Sequence, residues 1–466
     1  MTVRAGDAPR PNVVLINCDD LGYGDLGCYG STRNATPALD RMAAEGLRLD
    51  SFYMASPVCS PSRGALLTGC YPPRIGFGDF DGLPVLFPGQ ACGLAPSEIS
   101  LGRLLGDAGY RTAMVGKWHC GDQPAFMPTN HGFESYFGLP YSNDMGRQAG
   151  TPSDDRGDQR GYPPLPLVLD DEVLEQQPDQ RSLTARFLAE AVRFIRRTDI
   201  RPFFLYLAHM YVHLPIYVQE RFARTSRNGA YGAAVETVDW VTAVILHELQ
   251  TLGLDGSTIV VFTSDNGSRA RDGGSNAPLR GTKGTTWEGG MRVPCIVRWP
   301  GHVTPGRTSD ELTASIDLFP TLAALCGAAL PDDRTIDGVD LSELLLDDAV
   351  SSPRDAFWYY LMNDLEAVRG GRWKLHISKS GTPVHELYDV VADPAESTDR
   401  AAEQPTQVTQ LNAIADAARR SLGDARLGAV GADQRALGRV ADPRPLTAYD
   451  PQHPYFEAEY DVPDRG

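Results

Sequence analysis

Short apolar runs rich in β-branched residues alternate along this chain with helical patterns, and four of the runs end in ionisable residues. Such alternation specifies a mainly parallel sheet covered by helices on both faces. Residues 12–17 read as a strand followed by Asp19 and Asp20, and residues 110–115 as one followed by Lys117 and His119. Residues 203–208 run into His209 and His213, and residues 258–263 into Asp265 and Asn266. Open α/β sheets bind ligands at the carboxyl ends of their strands, so four strands are expected to deliver polar groups to one edge. Helices are expected over 36–46, 101–108, 182–197, 233–252 and 318–325, with a further strand over 293–299.

After about residue 353 the pattern changes to short strands near 357–360, 366–369, 373–377 and 386–390, followed by a helix near 404–420. This predicts a small antiparallel sheet with a helix packed on it. The expected organisation is a catalytic domain over 11–350, a small α+β domain over 351–425 and an extended tail over 426–466. Residues 145–180 are polar and proline-rich, and read as a long surface loop or lid.

Composition narrows the partners. With 60 acidic against 43 basic residues the net charge is −17, which argues against nucleic acid, whose phosphates demand excess Lys and Arg. No apolar run approaches the ~20 residues of a membrane span, so no membrane partner is expected. The first eleven residues lack a hydrophobic signal segment, which predicts a cytoplasmic location. The eight cysteines contain no C-x-x-C pair, so a zinc ribbon or a thioredoxin-type centre is not expected, and most read as buried thiols. A homo-oligomer is compatible with the sequence, which does not specify one.

Asp19, Asp20, Asp265 and Asn266 offer only hard oxygen ligands, a set suited to Ca²⁺ or Mg²⁺. An Asp-Asp pair after a strand is equally a turn or helix cap, but the second pair after another strand favours a metal. Lys117, His119, His213 and Lys283 supply cationic or proton-donating groups suited to a tetrahedral oxyanion. Structural roles are expected for His131, His247, His302, His385 and His453, while His209 and His376 stay open. In Cys59-Ser-Pro-Ser-Arg63-Gly-Ala-Leu-Leu-Thr-Gly69, Pro61 and Gly69 frame a short helix with Cys59 at its N-terminus. That placement favours negative charge; the alternative is an ordinary low-pKa or buried thiol. These residues specify a nucleophile or an anion site beside a divalent metal.

The same segment resembles the C-x-P-S-R signature of type I sulfatases, in which the cysteine is oxidised to formylglycine. The resemblance extends through residues 11–30, G-K-W-H (116–119), 131–144, 202–215, S-D-N-G (264–267) and 281–294, and spans roughly residues 11 to 400. It is strongest towards the arylsulfatase A and N-acetylgalactosamine-6-sulfatase branch. Cys18 departs from the family's usual Ala, and a neutral packing change is expected there.

The resemblance implies an alkaline-phosphatase-like fold, with a mixed, mostly parallel sheet sandwiched by helices and a smaller C-terminal antiparallel-sheet domain. It implies a formylglycine made from Cys59 by a formylglycine-generating enzyme, hydrated to a diol that attacks sulfur. Asp19, Asp20, Asp265, Asn266 and residue 59 would hold Ca²⁺, with Mg²⁺ as the other candidate. Lys117, Ser142, His213 and Lys283 would bind the sulfate of a small sulfated substrate, an aryl or carbohydrate ester. His213 would protonate the leaving alcohol, with Lys283 close by; His119 would take the proton of the second diol hydroxyl, and Arg63 would support the formylglycine.

The rival reading is a phosphate or phosphonate monoester hydrolase of the same superfamily, because fold alone does not decide chemistry. A silent binder of sulfated ligands is a third. Leaving-group specificity is expected from 74–97, the 143–180 loop and the C-terminal sheet. Trp287, Tyr141 and Tyr211 are candidates for a pocket wall or for core, and His376 for a residue reaching the mouth of the site.

Overall fold

The alternating pattern becomes a ten-stranded mixed sheet in a computed structural model that describes residues 10–147 and 162–448, with Asp450, Gln452, Pro454 and Ala458. Five adjacent strands run parallel, in the order Thr258–Ser264, Asn12–Cys18, Phe203–Ala208, Arg111–Lys117 and Ser135–Leu139. Cys295–Arg298 pairs antiparallel with the first of these, and Leu47–Leu49 and Arg307–Ser309 extend that side.

Strand 12–18 shows why the sheet is buried on both faces. Val14 and Ile16 pack into one apolar cluster with helices Gln180–Ile195 and Gly229–Thr251. Val13 and Leu15 pack into a second, with helices Cys59–Thr68, Leu101–Asp107 and Leu318–Cys326. A run that is apolar at every position suits a parallel strand with helices on both sides.

The 145–180 segment departs from the expected loop. Residues 148–161, like His453, lie outside the described residues, but Pro166–Leu169 and Glu172–Gln176 form an antiparallel hairpin on strand 135–139. Pro166 sits at the first residue of its strand, where its missing N–H is tolerated. Leu167 and Val168 are fully buried on opposite faces of the sheet.

Beyond the large sheet, Ala356–Leu361, Asp364–Gly370, Trp373–Lys379 and Thr382–Asp389 form a four-stranded antiparallel sheet in sequence order. Helix Pro405–Leu422 covers it through Leu411, Ala415 and Ala418. The chain then returns to the main body, where Gly438–Arg439 pairs with Cys92–Gly93. Arg74 ties this return down, bonding Asp337 and Asp433 at 2.7 and 2.6 Å and Ser421 Oγ at 3.0 Å. Among the described residues no helix is long and apolar enough to cross a membrane.

Candidate active site

The carboxyl ends of strands 258–264, 12–18, 203–208 and 111–117 lie side by side, and the residues that follow them converge with Cys59. Cys59 opens helix Cys59–Thr68, which is closed by Gly69 in the left-handed conformation (φ 69°). A Cβ at Gly69 would come within 2.7 Å of Phe319, so glycine is needed for packing as well as for the turn.

Ligand atoms of Asp19, Asp20, Cys59 and Asp265 all lie within 4.8 Å of one another, and those of Asp20, Cys59 and His213 form a second such group. Around them the cations are distributed one per carboxylate. Lys117 Nζ is 2.5 Å from Asp19 Oδ2, Lys283 Nζ 2.6 Å from Asp20 Oδ1, and Arg63 Nε 2.8 Å from Asp265 Oδ2. Asn266 Nδ2 donates to Asp20 Oδ1 at 2.7 Å, and the Asp20 N–H donates to Asp265 Oδ1 at 3.1 Å. Asp20 holds a left-handed backbone (φ 63°), uncommon for a non-glycine residue and concentrated at functional sites. Lys117 Nζ also donates to Ser142 Oγ at 3.4 Å, and Lys283 Nζ to Cys59 Sγ at 3.2 Å. His213 Nε2 lies 3.8 Å from Asp20.

Burial by itself would raise Asp19, but Lys117, His213, Arg63 and Lys283 hold its carboxyl well below the usual range. Burial raises Asp265, with Asp19 adding to it and Arg63 opposing. Burial would lower Lys283, but Asp20, Cys59, Asp19 and Asp265 raise it instead. The Cys59 thiol is pushed up to about 12 by burial, against the pull of Lys117 and Lys283. The helix N-terminus therefore does not make it a low-pKa thiol; it stays protonated and donates to Asp19 Oδ1 at 3.4 Å.

His119 is fixed by a contact that the sequence did not show. Its Nε2 lies 3.0 Å from the Leu86 carbonyl, which can only accept, so Nε2 carries the hydrogen. Nδ1 is then a buried lone pair without a partner. Burial, then Lys117, holds His119 well below its ordinary value, so the ring is neutral.

Two oxygens, Asp20 Oδ2 and Asn266 Oδ1, are buried with no hydrogen-bond partner. Buried polar atoms are rarely left so, and hard oxygens beside a cluster of carboxylates fit a divalent cation of the Ca²⁺ or Mg²⁺ kind.

Several candidates lie elsewhere. Tyr141 and Tyr211 are 2% and 1% exposed and belong to the apolar core cluster on one face of the sheet. His376 does not reach a mouth: it is fully buried, with Nε2 2.7 Å from Glu396 and its ring against Trp287. His209 is buried beneath the site, and burial lowers it to about 4. Cys18 is fully buried, and its carbonyl accepts from the Asp265 N–H at 2.9 Å.

Cations facing a buried carboxylate cluster at the carboxyl edge of a parallel sheet suit the binding of a metal ion and a tetrahedral oxyanion side by side. The sulfatase family profile matches residues 11–328, and a profile described as N-sulphoglucosamine sulphohydrolase, C-terminal, matches residues 282–417. Arylsulfatase A of Homo sapiens is 43% identical over 408 residues, covering 83% of this chain and 78% of that protein. N-acetylgalactosamine-6-sulfatase of Rattus norvegicus is 43% identical over 388 residues, covering 80% and 72%. Among solved structures, the PsFucS1 sulfatase from Pseudoalteromonas sp. aligns with a TM-score of 0.80 at 28% identity, covering 88% of this chain and 90% of that one. The chain belongs to the sulfatase family and is an arylsulfatase-like sulfuric ester hydrolase. Its fold is the alkaline-phosphatase-like one of that family, with the additional C-terminal antiparallel sheet.

Proposed function

We propose that the chain hydrolyses aryl or carbohydrate sulfate esters with a formylglycine derived from Cys59 and a Ca²⁺ held by Asp19, Asp20, Asp265 and Asn266 together with residue 59. The observation that carries this is Cys59 at a helix N-terminus with its Sγ and the carboxylate oxygens of Asp19, Asp20 and Asp265 all within 4.8 Å of one another. A carbonyl side chain there, hydrated, supplies one hydroxyl to attack and a second whose proton can later be removed. When bound, a divalent cation supplies positive charge for the sulfate oxygens and acidifies a neighbouring hydroxyl.

The chain's own residues then divide the work. Lys117 and Ser142, 3.4 Å apart, hold sulfate oxygens, and Lys283 does so from the opposite side beside residue 59. His213 is assigned the proton of the departing alcohol: with Nδ1 against the Leu214 carbonyl, it gives that proton from Nε2 when the ring is charged, a form that burial and Lys283 oppose and that Asp20 and Asp19 favour. His119, neutral with its Nδ1 lone pair unpartnered, accepts a proton from the hydroxyl of residue 59. Arg63 fixes Asp265 and, through its bond to the Lys117 carbonyl (2.8 Å), links helix 59–68 to strand 111–117. We assign these chemical groups to a catalytic domain over 11–350, with a small domain over 351–425 and a tail over 426–466 as the remaining units.

Peptide mass spectrometry across residue 59 tests the reading. Active protein is expected to carry the aldehyde or its hydrate, and Cys59→Ala to abolish aryl sulfate turnover while leaving the fold intact. An unmodified thiol in active protein would overturn the formylglycine mechanism.

A further inference from the structure

A second buried charge cluster lies outside the site, where the C-terminal sheet meets the segment that carries Lys283. Glu288, Lys374 and Glu396 have fully buried side chains. Lys374 Nζ is 3.0 Å from Glu288 Oε1, 3.0 Å from Glu396 Oε1 and 2.7 Å from the Thr286 carbonyl. Glu396 Oε2 accepts the Glu288 N–H at 2.7 Å, and Arg280 donates to the Glu396 carbonyl at 2.9 Å. Thr286 Oγ1 donates to Glu366 Oε2 at 2.7 Å, and Glu366 Oε1 accepts the Ser380 N–H at 2.6 Å. Both ends of the segment from Arg280 to Glu288 are thus gripped by residues at 366–396.

The middle of the segment is gripped from the other side. The Lys283 N–H donates to the Ser268 carbonyl at 3.1 Å, and the Gly284 N–H to the Pro57 carbonyl at 2.9 Å, two residues before Cys59. Lys283 therefore sits at the centre of a span held at Arg280, Thr286 and Glu288 by the C-terminal sheet and Glu396. A buried lysine with two carboxylates and a carbonyl as partners is costly to desolvate and is a poor device for stability alone. It is well suited to fixing a backbone in one position.

We infer that Lys374 is a positioning residue for the reaction: through Thr286, Glu288 and Glu396 it sets where Lys283 Nζ stands relative to residue 59. This rests on the role given to Lys283 above. It makes the C-terminal sheet a functional part of the site through the backbone that it holds.

The test is a pair of double-mutant cycles in the modified, metal-loaded enzyme, read as kcat/KM for an aryl sulfate. Lys374→Met is expected to lower kcat/KM by about 10- to 100-fold, the scale of a 1 Å misplacement, and Lys374→Arg to restore part of it. In a Lys283→Ala background the same change is expected to have little further effect, whereas with Lys117→Ala, on another element, the losses should multiply. Hydrogen exchange supplies a readout independent of turnover: amides of 281–288 should exchange faster in Lys374→Met while those of strand 111–117 do not change. Equal losses in the Lys283→Ala and wild-type backgrounds, or no local change in exchange, would overturn the inference. If Lys283→Ala alone leaves turnover intact, it is the role of Lys283 that fails. Should Lys374→Met not fold, Glu396→Gln removes the charge of one of the two carboxylates that Lys374 grips, and the same pattern is expected at smaller size.

Discussion

Arg63 and Asp265 are joined by two contacts of 2.8 Å, through Nε and through a terminal guanidinium nitrogen, and neither side chain has any exposure to solvent. Arg63 lies on the helix that begins with Cys59, while Asp265 follows a strand two hundred residues later. The pair thus clamps the candidate nucleophile's helix to the carboxylate cluster.

Removing one partner of such a pair leaves a buried charge uncompensated. We expect Arg63→Met to cost about 3 to 5 kcal/mol of folding free energy, seen in urea unfolding, together with loss of turnover. A change below 1 kcal/mol would mean that the clamp is not structural.

Removal of the divalent cation should show in both activity and stability. EDTA is expected to stop turnover and Ca²⁺ to restore it. Added Ca²⁺ should raise the melting temperature, with about 2.7 kcal/mol gained at a hundredfold excess over Kd. Asp20→Ala should abolish that rise. Rescue by Zn²⁺ and not by Ca²⁺ would contradict the oxygen-only ligand set.

Most of this site was legible because a parallel sheet puts the ends of its strands on one edge, so short motifs far apart in sequence could be placed together without coordinates. Asp19, Asp20, Lys117, Asp265 and Asn266 all follow from that rule. The hairpin 166–176 was missed because it is short and opens on Pro166, and because Glu172–Gln176 is the edge strand, where charged residues are tolerated and periodicity is weak. The Lys374 cluster was not legible because its members lie 80 to 108 residues from their partners Thr286 and Glu288, on elements brought together only by tertiary packing. The Leu86 carbonyl carries no sequence signal at all, since any residue has one.

The Glu288 carboxyl gives a pH signature. Burial would raise it, but Lys374, Arg292 and Arg369 together bring it down to about 2, from an ordinary value of 4.5. A lowered folded pKa contributes stability that is present above pH 4.5 and is lost as the pH falls toward 2. The stability gap between the wild type and Glu288→Gln, from urea unfolding, should therefore be widest above pH 4.5 and narrow below it. A gap that does not change between pH 6 and 3 would remove Glu288 from the ionised network.

Arg74 is expected to hold the C-terminal return to the body. Its side chain is 2% exposed and paired with Asp337 and Asp433. Arg74→Met should lower the unfolding midpoint and render the segment around 433–440 sensitive to limited proteolysis, while strand 12–18 stays protected. Proteolysis no faster than in the wild type would show that the pairing of 438–439 with 92–93 suffices.

Cys59 through Thr68 are buried without exception, Cys59 itself being 2% exposed. If Cys59 is converted as proposed above, the enzyme that oxidises it cannot reach the thiol in this folded form, and conversion would have to precede closure of the fold. The helix is sealed partly by late-arriving chain: Phe319 packs at Gly69, and the N–H groups of Asp337 and Gly338 donate to the Gly69 carbonyl. Phe319 and Asp337 lie 250 and 268 residues downstream of Gly69, so at roughly 5 to 20 residues per second of synthesis that end of the helix waits roughly 13 to 54 s for its cover. The distance along the chain between this helix and its cover thus sets a clock, and if Cys59 is converted as proposed, the yield of active enzyme should depend on how fast the ribosome moves.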